Sequence, residues 1–291
     1  MTQIRKVPAS AGADWLVTGF RLLRRSPLGL GTLGMLFGLL GLVANLALQR
    51  SVELAMVLQF ALILLGPLLL AGMVYAAREV EAGRPATPGH LLRGMQEGKA
   101  PRLLATLLPQ IAAVMLLMVL LFALIGPSGI ESMAETLQKL QGQAQPDPAL
   151  VSELPLRRMM LWLLIAIVVG VLTGFFTFTA LPDMMFTERG AFAAMGASFR
   201  ACLRNLPAML VFFVLLAIAV VVLQVLVLLI AAIVGSVAGL FAAEIVVQLV
   251  VPAVLMPAIT GAMYIAWKQM LGDGEGHSGA AAPPAFHGIE A

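Results

Sequence analysis

The stretch Gly66–Arg78, G-P-L-L-L-A-G-M-V-Y-A-A-R, ends a long apolar segment and sets the frame for the rest of the chain. A weaker echo, P-A-I-T-G-A-M-Y-I-A-W-K, lies at Pro257–Lys268 and aligns Tyr264 with Tyr75. In each copy a proline and a glycine precede the tyrosine, and a basic residue follows it. This order is typical of a membrane-crossing helix that reaches the cytoplasmic headgroups.

The composition predicts a membrane protein. Of the 291 residues, 60% are hydrophobic and 11% are charged, whereas a soluble chain carries about 25% charged residues. Apolar runs longer than about 18 residues recur, which is the length needed to cross a bilayer. We therefore expect an all-α, polytopic membrane helical bundle with six transmembrane helices and additional in-plane amphipathic helices.

The six predicted spans follow from the apolar runs. Their bounds are 28–48, 54–77, 103–125, 159–181, 206–234 and 240–267. The last two form one apolar run that is too long for a single span, and the Gly-rich residues 235–239 are the predicted turn. Residues 1–27 form an N-terminal amphipathic segment, and residues 269–291 are predicted to be a disordered tail because Gly, Ala and Pro dominate them.

The distribution of basic residues predicts the orientation. Six spans place both termini on one side, and that side holds fourteen of the 18 Lys and Arg residues. The positive-inside rule makes it the cytoplasmic side. No cleaved signal peptide is expected, because charged and polar residues continue to Arg25. The net charge of +3 does not indicate nucleic-acid binding, since no basic cluster is interleaved with stacking aromatic residues.

Two segments on the basic side show the pattern of amphipathic helices that lie in the membrane plane. In the first, the apolar residues at helical spacing are Trp15, Leu16, Phe20 and Leu23. In the second, they are Phe192, Met195, Phe199, Cys202 and Leu203, with Ser198 predicted to lie elsewhere. The candidate interaction face for a partner consists of Phe192, Met195, Phe199, Arg200 and Arg204.

The basic segments on this side allow two interpretations. They could bind anionic lipid headgroups, or their charges could serve only to orient the protein.

On the other side, residues 130–140 have the spacing of a short amphipathic helix, and residues 141–155 are expected to be an irregular tether. In the first span, Gly34 and Gly38 form a G-x-x-x-G pattern that favours close packing on another helix. We expect this helix to belong to the same chain, with another subunit as the alternative.

Three polar residues within the spans are candidates for a site. Glu244 lies about one turn after the predicted turn, where we expect it at the membrane interface rather than as an ion or proton site. Gln224 lies eighteen residues after Leu206 and Gln248 nineteen before Trp267. This spacing predicts a similar depth and a hydrogen bond between them, in a structural role rather than as a substrate site.

Nothing in the sequence predicts catalysis, a metal or a cofactor. The chain has one cysteine, three widely separated histidines and none of the common catalytic motifs. An acid pair of Asp183 and Glu188 at the cytoplasmic rim is conceivable, although a solvated loop explains both residues. We therefore expect that the chain is not an enzyme.

The opening R-K-V-P-A-S-A-G-A-D-W-L-V-T-G-F-R-L-L-R-R-S-P, residues 5–27, resembles that of an uncharacterised family of bacterial inner-membrane proteins. The end of the second span, the G-R-P at Gly83–Pro85 and the S-F-R-A-C-L-R-N at Ser198–Asn205 are similar to the same family. The resemblance covers most of the chain except the outer loop and the tail. It implies an inner-membrane location and a six-helix topology, and because the family has no established activity there are no catalytic residues to carry over.

We therefore predict a non-enzymatic structural or accessory protein of the inner membrane that binds partner proteins or lipids. A homo-oligomer is one form that such a partnership could take. The alternative is a small-solute transporter or channel that uses the region around Glu244, Gln248 and Gln224. A membrane enzyme that uses Asp183 and Glu188 is the second alternative.

Overall fold

The computed structural model describes residues 4–141 and 155–272, and every regular element in these ranges is helical. The helices are α1 (Ala11–Arg25), α2 (Pro27–Leu48), α3 (Val52–Glu81), α4 (Arg93–Gln96), α5 (Ala100–Leu104), α6 (Leu107–Ile125), α7 (Pro127–Gln141), α8 (Leu156–Thr177), α9 (Ala180–Phe186), α10 (Ala191–Arg204), α11 (Leu206–Ala238) and α12 (Leu240–Met270), with one 3-10 turn at Pro88–Leu92. The predicted all-α fold is confirmed.

Six stretches are long and apolar enough to cross a membrane, which confirms the expected six-span bundle. They are Pro27–Leu48, Val52–Glu81, Ala100–Ile125, Leu156–Phe186, Leu206–Ala238 and Leu240–Met270, and each contains one of the predicted segments. The amphipathic helix expected near residues 130–140 corresponds to α7. Most of the expected tether and nearly all of the expected tail lie outside the described residues.

Three of the spanning helices are longer than a bilayer requires. With 19 residues, α6 is about 28 Å long, close to the hydrocarbon thickness of about 30 Å. The helices α3, α11 and α12 have 30, 33 and 31 residues and are about 45–50 Å long. The extra length of α12 extends beyond the start of α2. Gly31, near the start of α2, lies beside Ala253, since a Cβ atom on Gly31 would lie 3.9 Å from the oxygen of Ala253, and α12 continues from there to Met270.

The first and last residues that the structure describes meet at this end of the bundle, which we call the terminal end. The amide of Arg5 donates a hydrogen bond of 3.0 Å to the carbonyl oxygen of Met270. The largest cluster of buried side chains surrounds this contact and includes Trp15, Val74, Leu103, Met184, Met195, Met209, Phe212, Met263 and Met270. We call this packed region the terminal layer. It comprises α1, residues 82–104, α9, α10 and the adjoining turns of α3, α11 and α12.

The other end of the bundle is the far end, and three of the spans that run between the two ends are much less packed than the first span. In the third, fourth and fifth spans only 6% of the most apolar window is buried, compared with 44% in the first span. Helix α6 packs mainly against α8, and α8 packs mainly against α6 and α10. These three spans therefore present most of their apolar surface to their surroundings.

The helix α1 packs on α11 and α12. Trp15 is fully buried. A Cβ atom on Gly12 would lie 2.0 Å from the oxygen of Ala208, and one on Gly19 would lie 2.1 Å from the oxygen of Ala258, so both positions require glycine. The first amphipathic helix exists as predicted, but its apolar face covers protein rather than lipid. The expectation that this face rests on the bilayer was wrong.

The glycines of α2 make a similar contact with α12. A Cβ atom on Gly34 would lie 2.3 Å from the oxygen of Pro252, and one on Gly38 would lie 2.2 Å from the oxygen of Gln248. The G-x-x-x-G pattern therefore packs on a helix of the same chain, as expected.

The fourth span is interrupted at Phe178 and Thr179. In an unbroken helix the Thr179 amide would donate to the Phe175 carbonyl, four residues earlier. Instead the buried Ser198 hydroxyl of α10 accepts from the Thr179 amide at 3.0 Å and donates to the Phe175 oxygen at 2.7 Å. The hydroxyl is thus inserted into the helical ladder, which is a recognised cause of helix breaks. Ser198 was predicted to lie away from the packed face, and this prediction was wrong because the break needs a polar partner.

The fifth and sixth spans are joined by a single residue. Gly239 has φ of +89°, a backbone conformation that favours glycine, and it separates the end of α11 from the start of α12. The helix α11 continues through residues 235–238, which the sequence had indicated as part of the turn.

Candidate functional site

A polar contact joins α2 and α12 at the far end. The Asn45 side-chain amide donates a hydrogen bond of 2.9 Å to a carboxylate oxygen of Glu244. Asn45 lies one turn before the end of α2 at Leu48, and Glu244 lies five residues after Gly239. Both groups therefore lie near the end of their helix, and the interfacial position of Glu244 stays a prediction.

A cleft of about 430 Å³ opens beside this contact, between α2, α3 and α12. Its polar side chains are Asn45, Gln59 and Gln248, and its apolar wall includes Leu48 and Met56. The structure thus brings Gln248 together with the Asn45–Glu244 pair. The cleft can accept a ligand that combines hydrogen-bonding groups with an apolar part.

Sequence reasoning gave no weight to Gln59, because it lies near the start of α3. The one sign in the sequence that Gln59 belongs to the site was its predicted position at the same end of the bundle as Asn45 and Glu244. The sequence does not show which helices are neighbours, so it could not place these residues around one cleft.

Gln224 does not belong to this site. It lies fifteen residues before Gly239, whereas Gln248 lies nine residues after it. The two residues are therefore offset by about 9 Å along antiparallel helices. Among the described side chains no hydrogen bond joins them, so the predicted Gln224–Gln248 contact was wrong. The error arose because the depth of each glutamine in the membrane was counted from Leu206 or Trp267. Both of these residues lie within the terminal layer, so neither marks the edge of the hydrocarbon.

Two of the five residues of the candidate interaction face on α10 pack within the protein. Met195 is 4% exposed and belongs to the core of the terminal layer. Phe199 is partly buried and stacks on Phe176 at a centroid distance of 4.4 Å. A partner cannot reach Met195, which corrects that part of the prediction. Phe192, which is 73% exposed, together with Arg200 and Arg204 remains accessible.

Asp183 and Glu188 have different partners. Asp183 is 1% exposed, and its carboxylate accepts from Arg189 at 2.6 Å and from the indole nitrogen of Trp267 at 3.0 Å. The Glu188 side chain is 86% exposed and pairs with Arg102 at 3.2 Å. The carboxylates are thus directed to different cations, and the solvated-loop interpretation was wrong for Asp183.

A cluster of aromatic and charged residues holds α3 against α12 in the terminal layer. The Glu81 carboxylate accepts from the Tyr264 hydroxyl at 2.6 Å and from the Lys268 ammonium at 2.8 Å. The Arg78 guanidinium lies 4.4 Å from the centroid of the Phe186 ring. Because each polar group has a partner, this cluster is a structural contact between helices.

Asn205 fastens the N-terminal segment to the terminal layer. Its side-chain amide donates to the Arg5 carbonyl at 3.0 Å and accepts from the Val7 amide at 2.8 Å. Sequence reasoning gave this residue no role. A buried asparagine at a helix junction could have indicated one, but its partners lie about 200 residues away in the chain.

Within residues 4–141 and 155–272, no group of three His, Cys, Asp or Glu side chains could hold a metal ion. The absence of a cofactor stays a prediction.

Comparisons with protein-family models, with curated proteins and with solved structures found no match to this chain. The fold and its six apolar spans define the class to which the chain belongs. It is a multi-pass integral membrane protein.

Proposed function

We propose that the chain is a non-enzymatic accessory protein of the bacterial inner membrane, with both termini in the cytoplasm, that binds a transmembrane helix of a partner protein. The observation that carries this proposal is the contrast between the packed terminal layer and the third to fifth spans, in which 6% of the apolar window is buried. Packing at one end holds these spans in place while their sides stay available.

The groove between α6 and α8 is the surface that fits such a helix best. It has a volume of about 330 Å³, and its lining includes apolar side chains such as Leu117 together with the smaller residues Ala113, Gly170, Thr173 and Gly174. Gly170 and Gly174 repeat the G-x-x-x-G spacing, and nothing lies within 4 Å of a Cβ atom placed on either glycine. Small residues at this spacing let helix backbones approach closely in a membrane.

Site-specific photocrosslinking in native membranes tests the proposal. A photoreactive amino acid replaces Val114, which is 59% exposed and lines the groove. We expect an adduct with one protein that is lost in the G170L/G174L variant, where leucines fill the groove. The control is Gly66→Leu, which also points to open space but lies in α3, and it should keep the adduct.

Three outcomes contradict the proposal. An adduct of twice the mass of the chain assigns the groove to a homo-oligomer. An adduct with lipid alone removes the protein partner. An adduct that persists in the G170L/G174L variant shows that the groove does not hold the partner.

The second candidate function is small-solute transport, and the cleft beside Asn45 and Glu244 favours it. Glu244→Ala should then abolish uptake or efflux at normal protein levels. Glu135→Ala in α7 makes the same charge change outside the cleft and should leave transport intact. Unchanged transport in the Glu244→Ala chain removes this candidate.

A further inference from the structure

The basic residues of the terminal end, apart from Arg5, divide into two sets. Seven of them form ion pairs with carboxylates of the same chain. These are Arg78, Arg84, Arg93, Lys99, Arg102, Arg189 and Lys268. Arg5 donates instead to the carbonyl oxygens of Lys268 and Gly272. Every cation of residues 78–102 therefore has a carboxylate partner, with Glu79 and Glu97 each shared by two cations.

The second set has no ion pair among the residues that the structure describes. Its members, all exposed, are Lys6, Arg21, Arg24, Arg25, Arg200 and Arg204. They lie on the N-terminal segment, on α1 and on α10, which together contain one acidic residue, Asp14. We call these six residues the free cations.

The two helices that carry most of the free cations present them on the face opposite to the one that packs in the core of the terminal layer. In α1 the buried residues include Trp15 and Leu22, while the three arginines are exposed. In α10 the buried residues include Met195 and Cys202, and Arg200 and Arg204 follow each other by one helical turn on the exposed side.

The free cations also lie where two spans begin. Arg25 precedes the first residue of α2 by two positions, and Arg204 precedes the first residue of α11 by two positions. Asn205 connects the end of α10 to the segment that carries Lys6. Helix α2, with 22 residues, matches the thickness of the hydrocarbon, so its start and Arg25 lie at the level of the phospholipid phosphates, whereas α11 begins within the terminal layer.

We propose that the free cations bind the phosphate groups of anionic phospholipids in the leaflet at the terminal end. Guanidinium groups bind phosphate through paired hydrogen bonds, and an exposed cation without a carboxylate partner gives up no ion pair to do so. The paired cations of residues 78–102 do not take part. This surface is separate from the α6–α8 groove, so the lipid proposal and the partner proposal can fail independently.

The test measures the thermal unfolding midpoint of the purified full-length chain in mixed micelles. We expect phosphatidylglycerol to raise the midpoint more than phosphatidylcholine does. The difference should shrink in about 1 M salt, where the Debye length is about 3 Å. The variants R200Q/R204Q and R21Q/R24Q/R25Q should each lose a substantial part of the difference, and together nearly all of it.

The matched control is R157Q/R158Q, which removes two exposed arginines from the start of α8 at the far end, where neither forms an ion pair with a described residue. It should keep the full difference between the two lipids. If the control loses as much as R200Q/R204Q, the effect is general electrostatics and the proposal is wrong. Equal midpoints with the two lipids also contradict it.

Two soluble probes separate lipid from other anions. Inorganic phosphate or an acidic peptide that raises the midpoint as much as phosphatidylglycerol would assign the surface to a soluble anion or to an acidic protein. Circular dichroism of each variant confirms the helical fold. If the triple variant does not fold, R200Q/R204Q and its control decide the result alone.

Discussion

Gly19 of α1 crosses Gly261 of α12 so closely that a Cβ atom on Gly261 would lie 3.0 Å from the Gly19 Cα atom. Gly261 belongs to the echo of the stretch 66–78. The matching glycine of that stretch, Gly72, lies against the 3-10 turn, where a Cβ atom would be 2.5 Å from the Cα atom of Leu91. Each copy therefore uses its glycine to bring a second backbone against a spanning helix, and these contacts build the terminal layer.

Replacement of Gly19 by alanine should destabilise the protein. The new methyl group would lie 2.1 Å from the oxygen of Ala258, so α1 and α12 must separate. Overpacking costs about 1–3 kcal/mol, which outweighs the gain of about 1 kcal/mol in helix propensity. The measurement is the thermal unfolding midpoint in detergent.

Gly41→Ala is the control, because nothing lies within 4 Å of its added methyl group, and it should not lower the midpoint. Equal shifts in the two variants would contradict the close contact.

Removal of the Ser198 hydroxyl should weaken the junction between α8 and α9. Ser198→Ala leaves the Thr179 amide and the Phe175 carbonyl without their common partner, and we expect a loss of about 1–3 kcal/mol. The control is Ser236→Ala, whose exposed hydroxyl donates to Ile233 within its own helix. This control should change the unfolding free energy by less than about 0.5 kcal/mol. A loss in Ser198→Ala no larger than in the control would mean that the two helices rejoin without the hydroxyl.

A double-mutant cycle can measure the bond between Asn45 and Glu244. The variants Asn45→Ala and Glu244→Ala and their combination should give a coupling energy of about 1 kcal/mol, the usual size for polar contacts between membrane helices. The same cycle with Gln59→Ala in place of Asn45→Ala should give a coupling near zero, because Gln59 shares the cleft without a hydrogen bond to Glu244. A coupling as large for Gln59 would show that the cleft rearranges as a whole.

The spans were predictable because length and hydropathy alone decide whether a helix can cross a bilayer. Their depth was not, since α3, α11 and α12 continue past the hydrocarbon into the terminal layer. This extension explains why Gln224 and Gln248 do not meet. Periodicity likewise predicted α1 and α10 as amphipathic helices, but it could not distinguish a face that covers protein from one that covers lipid.

The buried polar residues were the least predictable part. Ser198 and Asn205 lie on α10 and at its end, where a polar residue ordinarily indicates exposure to water. Their role depends on groups that the tertiary structure brings to them, namely a broken helix for Ser198 and the N-terminal segment for Asn205. A single sequence holds no sign of these distant partners.

The stability of the terminal layer should fall at acidic pH through His90. This residue lies in the 3-10 turn, and its Nδ1 atom accepts from the Thr87 amide at 3.3 Å. Burial, with a smaller contribution from Arg93, lowers the pKa of His90 below its ordinary value of 6.5, against the opposing effect of Glu79. The unfolded chain therefore takes up the proton first as the pH falls. The contribution of His90 is complete above pH 6.5 and is lost as the pH falls through the folded-state pKa.

Unfolding midpoints measured between about pH 7.5 and 5 can test this prediction. His90→Asn keeps an acceptor for the Thr87 amide but does not titrate, so its midpoint should fall less steeply with pH than that of the unmodified chain. Parallel pH profiles would exclude His90 as the titrating group.

The only cysteine in the chain should react slowly as long as the terminal layer is closed. Cys202 is fully buried, and burial raises the pKa of its thiol to about 12. Because the thiolate is the reactive form, only about one thiol in ten thousand is reactive at pH 8. Maleimide labelling of the folded protein should therefore be far slower than labelling of a Leu203→Cys, Cys202→Ala chain, since Leu203 is 45% exposed. After denaturation the two chains should label at similar rates.

Labelling of Cys202 then reports opening of the terminal layer, so Gly19→Ala should accelerate it and Gly41→Ala should not. Rapid labelling of the unmodified folded chain would show that α10 does not stay packed in the terminal layer.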